Sequence, residues 1–172
     1  MTVSLRATIG LMMLCGSASL LGAEPPAVSS LSELRQQGVV VQDWDLSCGA
    51  AALATVLNHQ HDDPVTEREV ALGLINRSEY LENPDLVQIR QGFSLLDLKR
   101  YAESRGYKGI GLGKLDLSDL VERAPVIVPV KTRGYNHFVV FRGIAANRVL
   151  LADPAWGNRT MLQERFEREW IS

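Results

Sequence analysis

Apolar residues along the chain fall into three successive regimes. The first is a single run over residues 7–23, ATIGLMMLCGSASLLGA, which follows one basic residue, Arg6, and ends in the small residues Gly22 and Ala23. The second, from residue 48 to about 124, has apolar positions at helical spacing between polar caps. There CGAAALATVLNH (48–59) is rich in helix formers and small residues, with Asp45 and Ser47 as suitable N-caps ahead of it. Thr66 opens a second helix, TEREVALGLIN, with Glu69 three residues on as a capping box. Ser94 caps a third, LLDLKRYAESRG, whose apolar stripe is Leu95, Leu98 and Ala102 and whose stop is Gly106. Residues 115–124, LDLSDLVERA, predict a short amphipathic helix ended by Pro125.

The third regime is β-branched and aromatic. VIVPVK (126–131), HFVVFRGI (137–144) and RVLLAD (148–153) read as strands separated by turns at Arg133-Gly134 and Ala146-Asn147. The tail MLQERFEREWI is mixed: residues 160–163 are compatible with a further strand, and Phe166 and Trp170 at i, i+4 with a closing helical turn. A short β-branched run at 39–41 is a candidate strand entering the site, and 77–92 reads as turn-rich, broken at Asn83-Pro84. Helices first and strands second predict an α+β class, with N-terminal helices packed on a C-terminal antiparallel sheet.

The first apolar run has the layout of a secretory leader: basic start, short apolar core, small-residue cleavage site. Cleavage is placed after Ala23, followed by a flexible lead-in over 24–38 and one domain over 39–172. A retained anchor is the other reading of 7–23, at the short end for a spanning helix. A lipidated Cys15 fits less well, because Met13 and Leu14 stand where small residues are expected. The sequence implies a periplasmic protein with no stable membrane insertion once the leader is gone. Loss of Arg6 leaves a net charge of −3 over 149 residues, one ordinary domain, and gives no basic surface for nucleic acid.

Composition matters most through cysteine. The chain has two, and Cys15 leaves with the leader, so Cys48 stands alone in an oxidising compartment where cysteines are ordinarily paired. Two readings are open from composition: an inert, buried Cys acting as a small hydrophobe, or a functional thiol. At a helix N-terminus, free N–H groups and the macrodipole favour a thiolate by roughly 0.3–2 kcal/mol. Lowering a thiol from ~8.5 to the ~4 of the most activated enzymes needs roughly 6 kcal/mol. A second cation must supply the remainder, and an imidazolium also serves as general acid.

Of the three histidines, His59 and His61 lie beyond the far end of a helix of roughly 16 Å. His137 starts a strand. If 137–144 and 148–153 form a hairpin about Asn147, the start of one lies beside the end of the other, which puts Asp153 next to His137 as the group that fixes its tautomer. Asp153-Pro154 is equally an ordinary turn start. The Cys48 N–H and the Gln42 side chain are candidate oxyanion donors.

The pattern Q-x5-C-G-x-A (Gln42, Cys48, Gly49, Ala51), with His137-Phe138-Val139-Val140 and then Asp153-Pro154 about sixteen positions on, resembles the bacteriocin-processing, double-glycine leader peptidases of the papain-like superfamily. The resemblance implies a papain-like fold with Cys48 as nucleophile, His137 as general base and acid, Asp153 as orienter and Gln42 as oxyanion donor. It also implies that Gly49 allows close packing or substrate approach beside the nucleophile. Well-known members of that family are the N-terminal parts of ABC exporters and work in the cytoplasm. This sequence shows no transporter helices and no ATPase motifs, and it resembles the free-standing, exported branch, which includes accessory peptidases of secretion systems such as those exporting amyloid subunits. Ser47 stands where Asp is common in the family.

Trp44 and Trp156 flank the two motifs and are candidates to line a substrate groove or to pack. His59-Gln60-His61-Asp62-Asp63 reads as a solvated loop rather than a metal site, glycines 109, 111 and 113 as a connector, and 79–85, EYLENPD, as an acidic surface loop. No metal or other cofactor is implied. The expected function is cleavage of a secreted peptide or secretion-system protein after small residues such as Gly-Gly. Two alternatives stay open: a non-proteolytic binding or chaperone module of the same fold, and a thiol amidase or acyltransferase.

Overall fold

The computed structural model describes residues 29–172, so the leader and residues 24–28 lie outside the described region. The elements run α1 (Leu31–Gln36), α2 (Cys48–Gln60), α3 (Glu67–Ile75), α4 (Ser78–Glu82), α5 (Leu86–Ile89), α6 (Leu95–Ser104), α7 (Leu117–Arg123), β1 (Val126–Thr132), β2 (Tyr135–Ala145), β3 (Arg148–Asp153), β4 (Gly157–Leu162) and α8 (Gln163–Glu169). The strands form one antiparallel sheet in the order β1-β2-β3-β4. This is the α+β arrangement the sequence pattern predicts.

The helix starts are set by capping boxes at Thr66 with Glu69, Ser94 with Asp97 and Asp116 with Asp119. Each satisfies two N–H groups that the helix itself leaves unpaired. Helix α2 is central. Ala50, Ala51, Ala52 and Ala54 are fully buried, and their small side chains let the helix approach its neighbours closely.

Apolar packing divides into two bodies and a seam. Leu53, Leu57, Val70, Leu74, Tyr80 and Leu98 form the core of the helical lobe. Val130, Val139, Phe141, Leu151, Met161 and Phe166 form the core of the sheet lobe, on the face covered by α7 and α8. Between them Val39 and Ala52 meet Val140 and Ala152, so α2 covers the other face of the sheet through small side chains.

Four segments differ from the sequence-based expectations. Residues 31–36, expected as flexible lead-in, form a helix docked on β4. Asn158 Nδ2 donates to Leu34 O (3.2 Å) and Gln37 O (2.8 Å), and Arg142 donates to Gly38 O. Residues 39–41 form no strand, because Val40 N–H is taken by the Thr55 hydroxyl on α2 (2.9 Å) instead of by a neighbouring strand. The acidic stretch 79–85 is partly helix α4, anchored by Tyr80, which is 1 % exposed and donates to Asp97 Oδ2 at 2.6 Å. In α6 the buried positions are Leu98 and that same Asp97, whereas Leu95 is 39 % exposed. The apolar stripe is narrower than predicted because Asp97 turns inward to cap Ser94 and receive Tyr80 and Arg77.

Candidate active site

Cys48 is the first residue of α2, on the helical lobe. The first intrahelical bond is Ala51 N–H to Ser47 O (3.0 Å), so the Cys48 N–H belongs to the turn whose donors have no intrahelical acceptor. Ser47 occupies the N-cap but its hydroxyl caps nothing. Its one proton is instead shared between Trp44 O (2.6 Å) and the buried Glu67 carboxylate at the start of α3. Glu67 also accepts from Asp43 N–H at 2.9 Å. One buried carboxylate therefore holds both ends of the loop that delivers the thiol, and within that loop Leu46 takes a left-handed conformation (φ 67°). Such a backbone costs on the order of 1–2 kcal/mol and needs surroundings that enforce it.

His137 and Asp153 come from the sheet lobe. The β2–β3 ladder shifts by one residue between Phe141 and Gly143 and ends at Val140 opposite Ala152. Asp153 lies one residue past that pair and His137 three residues from it, so period-two alternation puts both side chains on the same face. His137 Nε2 meets Asp153 Oδ1 at 2.7 Å. Cys48, at the start of α2, also acts on this ring and raises its proton affinity. The two lobes are set against each other by the residues next in sequence: a Cβ added to Gly49 would stand 3.2 Å from the Phe138 ring and 3.4 Å from Leu98. Gly49 is buried. Of its two suggested roles, close packing is the one the geometry displays.

Burial, the largest single influence on the His137 ring, would lower its pKa. The hydrogen bond to Asp153, the neighbouring Cys48 and the charges of both outweigh it and raise the pKa to about 9. Asp153 is fully buried. Burial would raise its pKa, but the bond to His137, the charges of His137 and Arg159, and the Ala155 N–H hold it below the usual carboxylate range. Both of its oxygens are engaged. Oδ1 takes His137 and Ala155 N–H (2.9 Å), and Oδ2 takes Arg159 Nε (2.5 Å). At neutral pH this is a buried carboxylate carrying an imidazolium beside a cysteine, with Cys48 6 % exposed and the His137 side chain 15 % exposed. Field effects are strong in so enclosed a place.

Gln42 lies in the segment entering the nucleophile loop. Its backbone N–H donates to Pro154 O (2.8 Å), which joins the first motif to the last. Its side-chain Nε2 donates one hydrogen to Trp44 O (3.0 Å), which leaves the second free, and Oε1 is buried without a partner. Trp44 is 45 % and Trp156 63 % exposed, so neither is a core residue. Trp44, Leu46 and Ser47 form one wall of an open apolar groove of about 460 Å³, completed by Ile75, Leu81 and Val87. Away from the site, His59 and Gln60 extend the last turn of α2 rather than a loop, and in the loop that follows, Asp63 is bound by Arg105 and by Tyr107 Oη (3.1 Å).

Two residues of this site carry no signal of their own in the sequence. Glu67 looks like any acidic residue in a first helical turn, and Arg159 like any charge on an edge strand. Only the pairing of β3 with β4 brings Arg159 to Asp153.

The comparisons with known proteins agree with this fold. A model of the Peptidase C39 family matches residues 36–172. The chain is similar to two proteins named Probable functional amyloid protease FapD. One is from Pseudomonas aeruginosa, 36 % identical, with the alignment covering 95 % of this chain and 69 % of the relative. The other is from Pseudomonas fluorescens, 39 % identical, covering 96 % and 76 %. Among solved structures, a double glycine motif protease from an AMS/PCAT transporter in complex with its leader peptide superposes with a TM-score of 0.62 at 26 % identity, over 77 % of this chain and 84 % of that one. The peptidase domain of Streptococcus ComA gives a TM-score of 0.58 at 24 % identity, over 77 % and 91 %, a likeness of fold. Match length and identity together place this chain in the Peptidase C39 family, as a cysteine peptidase of papain-like, α+β fold.

Proposed function

We propose that the protein is an exported, periplasmic peptidase that cuts a secreted peptide or a secretion-system protein after small residues such as Gly-Gly, with Cys48, His137 and Asp153 as its triad and Gln42 completing the oxyanion site. The observation that carries this reading is one imidazole bonded to a buried carboxylate and acted on by a helix-terminal cysteine. The Cys48 thiolate adds to the scissile carbonyl carbon, and the oxygen takes the electron pair while facing the Cys48 N–H and the free Gln42 Nε2 hydrogen. His137 then gives its proton to the departing amine as the C–N bond breaks. Water, deprotonated by the now neutral imidazole, adds to the thioester, and collapse releases the acid and restores the thiolate.

Asp153 keeps the ring oriented throughout and stabilises the imidazolium without taking its proton. The low exposure of Cys48 and of the His137 side chain favours small residues beside the bond that is cut, and the exposure of Trp44 and Trp156 supports a role for them in holding the peptide on either side. The relatives named as functional amyloid proteases and the neighbour bound to a leader peptide support a substrate drawn from secreted proteins. The test is co-expression of the wild type or Cys48→Ala with the secreted proteins encoded beside it, followed by mass spectrometry of periplasmic extracts. New termini at small residues should appear with the wild type alone. Identical fragments from the two strains would refute the proposal.

A further inference from the structure

We propose that Arg159 is a positioning residue of this site, which shares the charge of the Asp153 carboxylate and thereby limits how tightly His137 holds its proton. The inference rests on the proposed triad. Asp153 receives three groups from three places: His137 from β2 and Ala155 N–H from the following turn, both on Oδ1, and Arg159 from β4, alone on Oδ2 at 2.5 Å. The Arg159 side chain is 23 % exposed, and Asp153 is fully buried, so little water competes for that oxygen. A guanidinium here fixes the plane of the carboxylate that His137 also uses.

Its charge matters as much as its geometry. A buried carboxylate with no partner but the imidazolium would hold that ring's proton very firmly, and a general acid that holds its proton too firmly releases the leaving amine poorly. Cys48 on α2 also acts on the ring, and across the β1–β2 ladder His137 pairs with the apolar Val130. Lys131, next along β1, pairs with Asn136 and alternates to the opposite face. Arg159 is therefore the cation placed to moderate the pair. The path through the carboxylate puts it on the order of 7 Å from the ring, where one charge at an effective dielectric constant of ~20 to 40 moves a titration by about one pH unit.

The experiment is NMR titration of the histidine ring carbons in the intact 24–172 protein, with His137 assigned by its own substitution. Arg159→Gln should raise the His137 midpoint by about one pH unit, while Arg159→Lys, which keeps the charge, should leave it within about half a unit of wild type. A midpoint in Arg159→Gln that is unchanged or lower overturns the inference. So does a larger displacement in Arg159→Lys, which remains the reading if the Gln variant does not fold. Asp153→Asn serves as the control for the triad itself. If its His137 midpoint matches wild type, the triad fails. If it falls while Arg159→Gln does nothing, only the role of Arg159 fails.

Discussion

The raised proton affinity of His137 ties the chemistry of the site to the stability of the whole protein. The ring titrates near 6.5 when free and at about 9 in the folded chain. A histidine whose folded pKa is raised stabilises the native state fully below its unfolded pKa and loses that contribution as pH climbs through the folded one, because over that interval the native state binds the extra proton. The gap corresponds to roughly 3 kcal/mol at ~1.4 kcal/mol per pH unit. The side chain is only 15 % exposed, so solvent screening takes little from this figure. It belongs to the His137–Asp153–Cys48 group as a whole. The perturbation is His137→Gln, and the assay is urea unfolding under reducing conditions at intervals from pH 6 to pH 9.5. The variant will differ from its parent by some constant packing amount, but that amount is not the prediction. The difference itself should shrink on going from pH 6.5 to 9 and then level off. Both proteins carry Cys48→Ser, so no thiol titrates in either state and the change is that of the ring alone; without the share of Cys48 in raising the ring's pKa, the fall is at most about 3 kcal/mol. Asp153, whose pKa is depressed, contributes above the ordinary carboxylate range and loses that contribution only on acidification, outside this window. A difference that stays flat across the interval, or grows with pH, would refute the reasoning.

Two further outcomes follow from the geometry. At pH 6 Cys48 should react with iodoacetamide much faster than a free thiol, which at a pKa of ~8.5 is almost wholly protonated there, and His137→Ala should remove most of that advantage; equal rates in the two proteins would argue against an ion pair. Gly157→Ala places a side chain at φ 74° with its Cβ 2.4 Å from Arg35 O, so it should cost about 2 kcal/mol or more and lower the melting temperature by roughly 4–8 °C, with new proteolytic cleavage near α1 as the confirming sign and an unchanged melting curve as the contrary one.

What the chain discloses before it folds depends on how local the cause is. The capping box at Thr66, the N-cap at Ser94, the hairpin about Asn147 and the helix beginning at Cys48 each rest on residues within a few positions of one another, and all are present as read. The meeting of His137 with Asp153 was legible for the same reason, since a hairpin needs only its turn to be recognised. Long-range causes were not legible. The helix at 31–36 persists because Asn158 and Arg142, more than a hundred residues away, bind its carbonyl groups and those of Gln37 and Gly38. Tyr80 is buried because Asp97 awaits its hydroxyl, and in composition alone it is one aromatic in an acidic run. Glu67 and Arg159 look like surface charges until the loop before α2 and the β3–β4 ladder enclose them. Gly49 was singled out for its place beside the thiol, yet its immediate neighbours are Phe138 and Leu98.

The seam of small side chains between the lobes has a consequence for the order of events during synthesis. Sulfur is supplied early in translation, whereas imidazole, carboxylate and guanidinium arrive more than eighty residues later, on strands that must first pair with one another. A nascent chain therefore harbours a harmless cysteine until nearly its whole length has emerged and the two halves have closed. The fold thus brings these groups together only after its last strands have paired, however early the thiol is made.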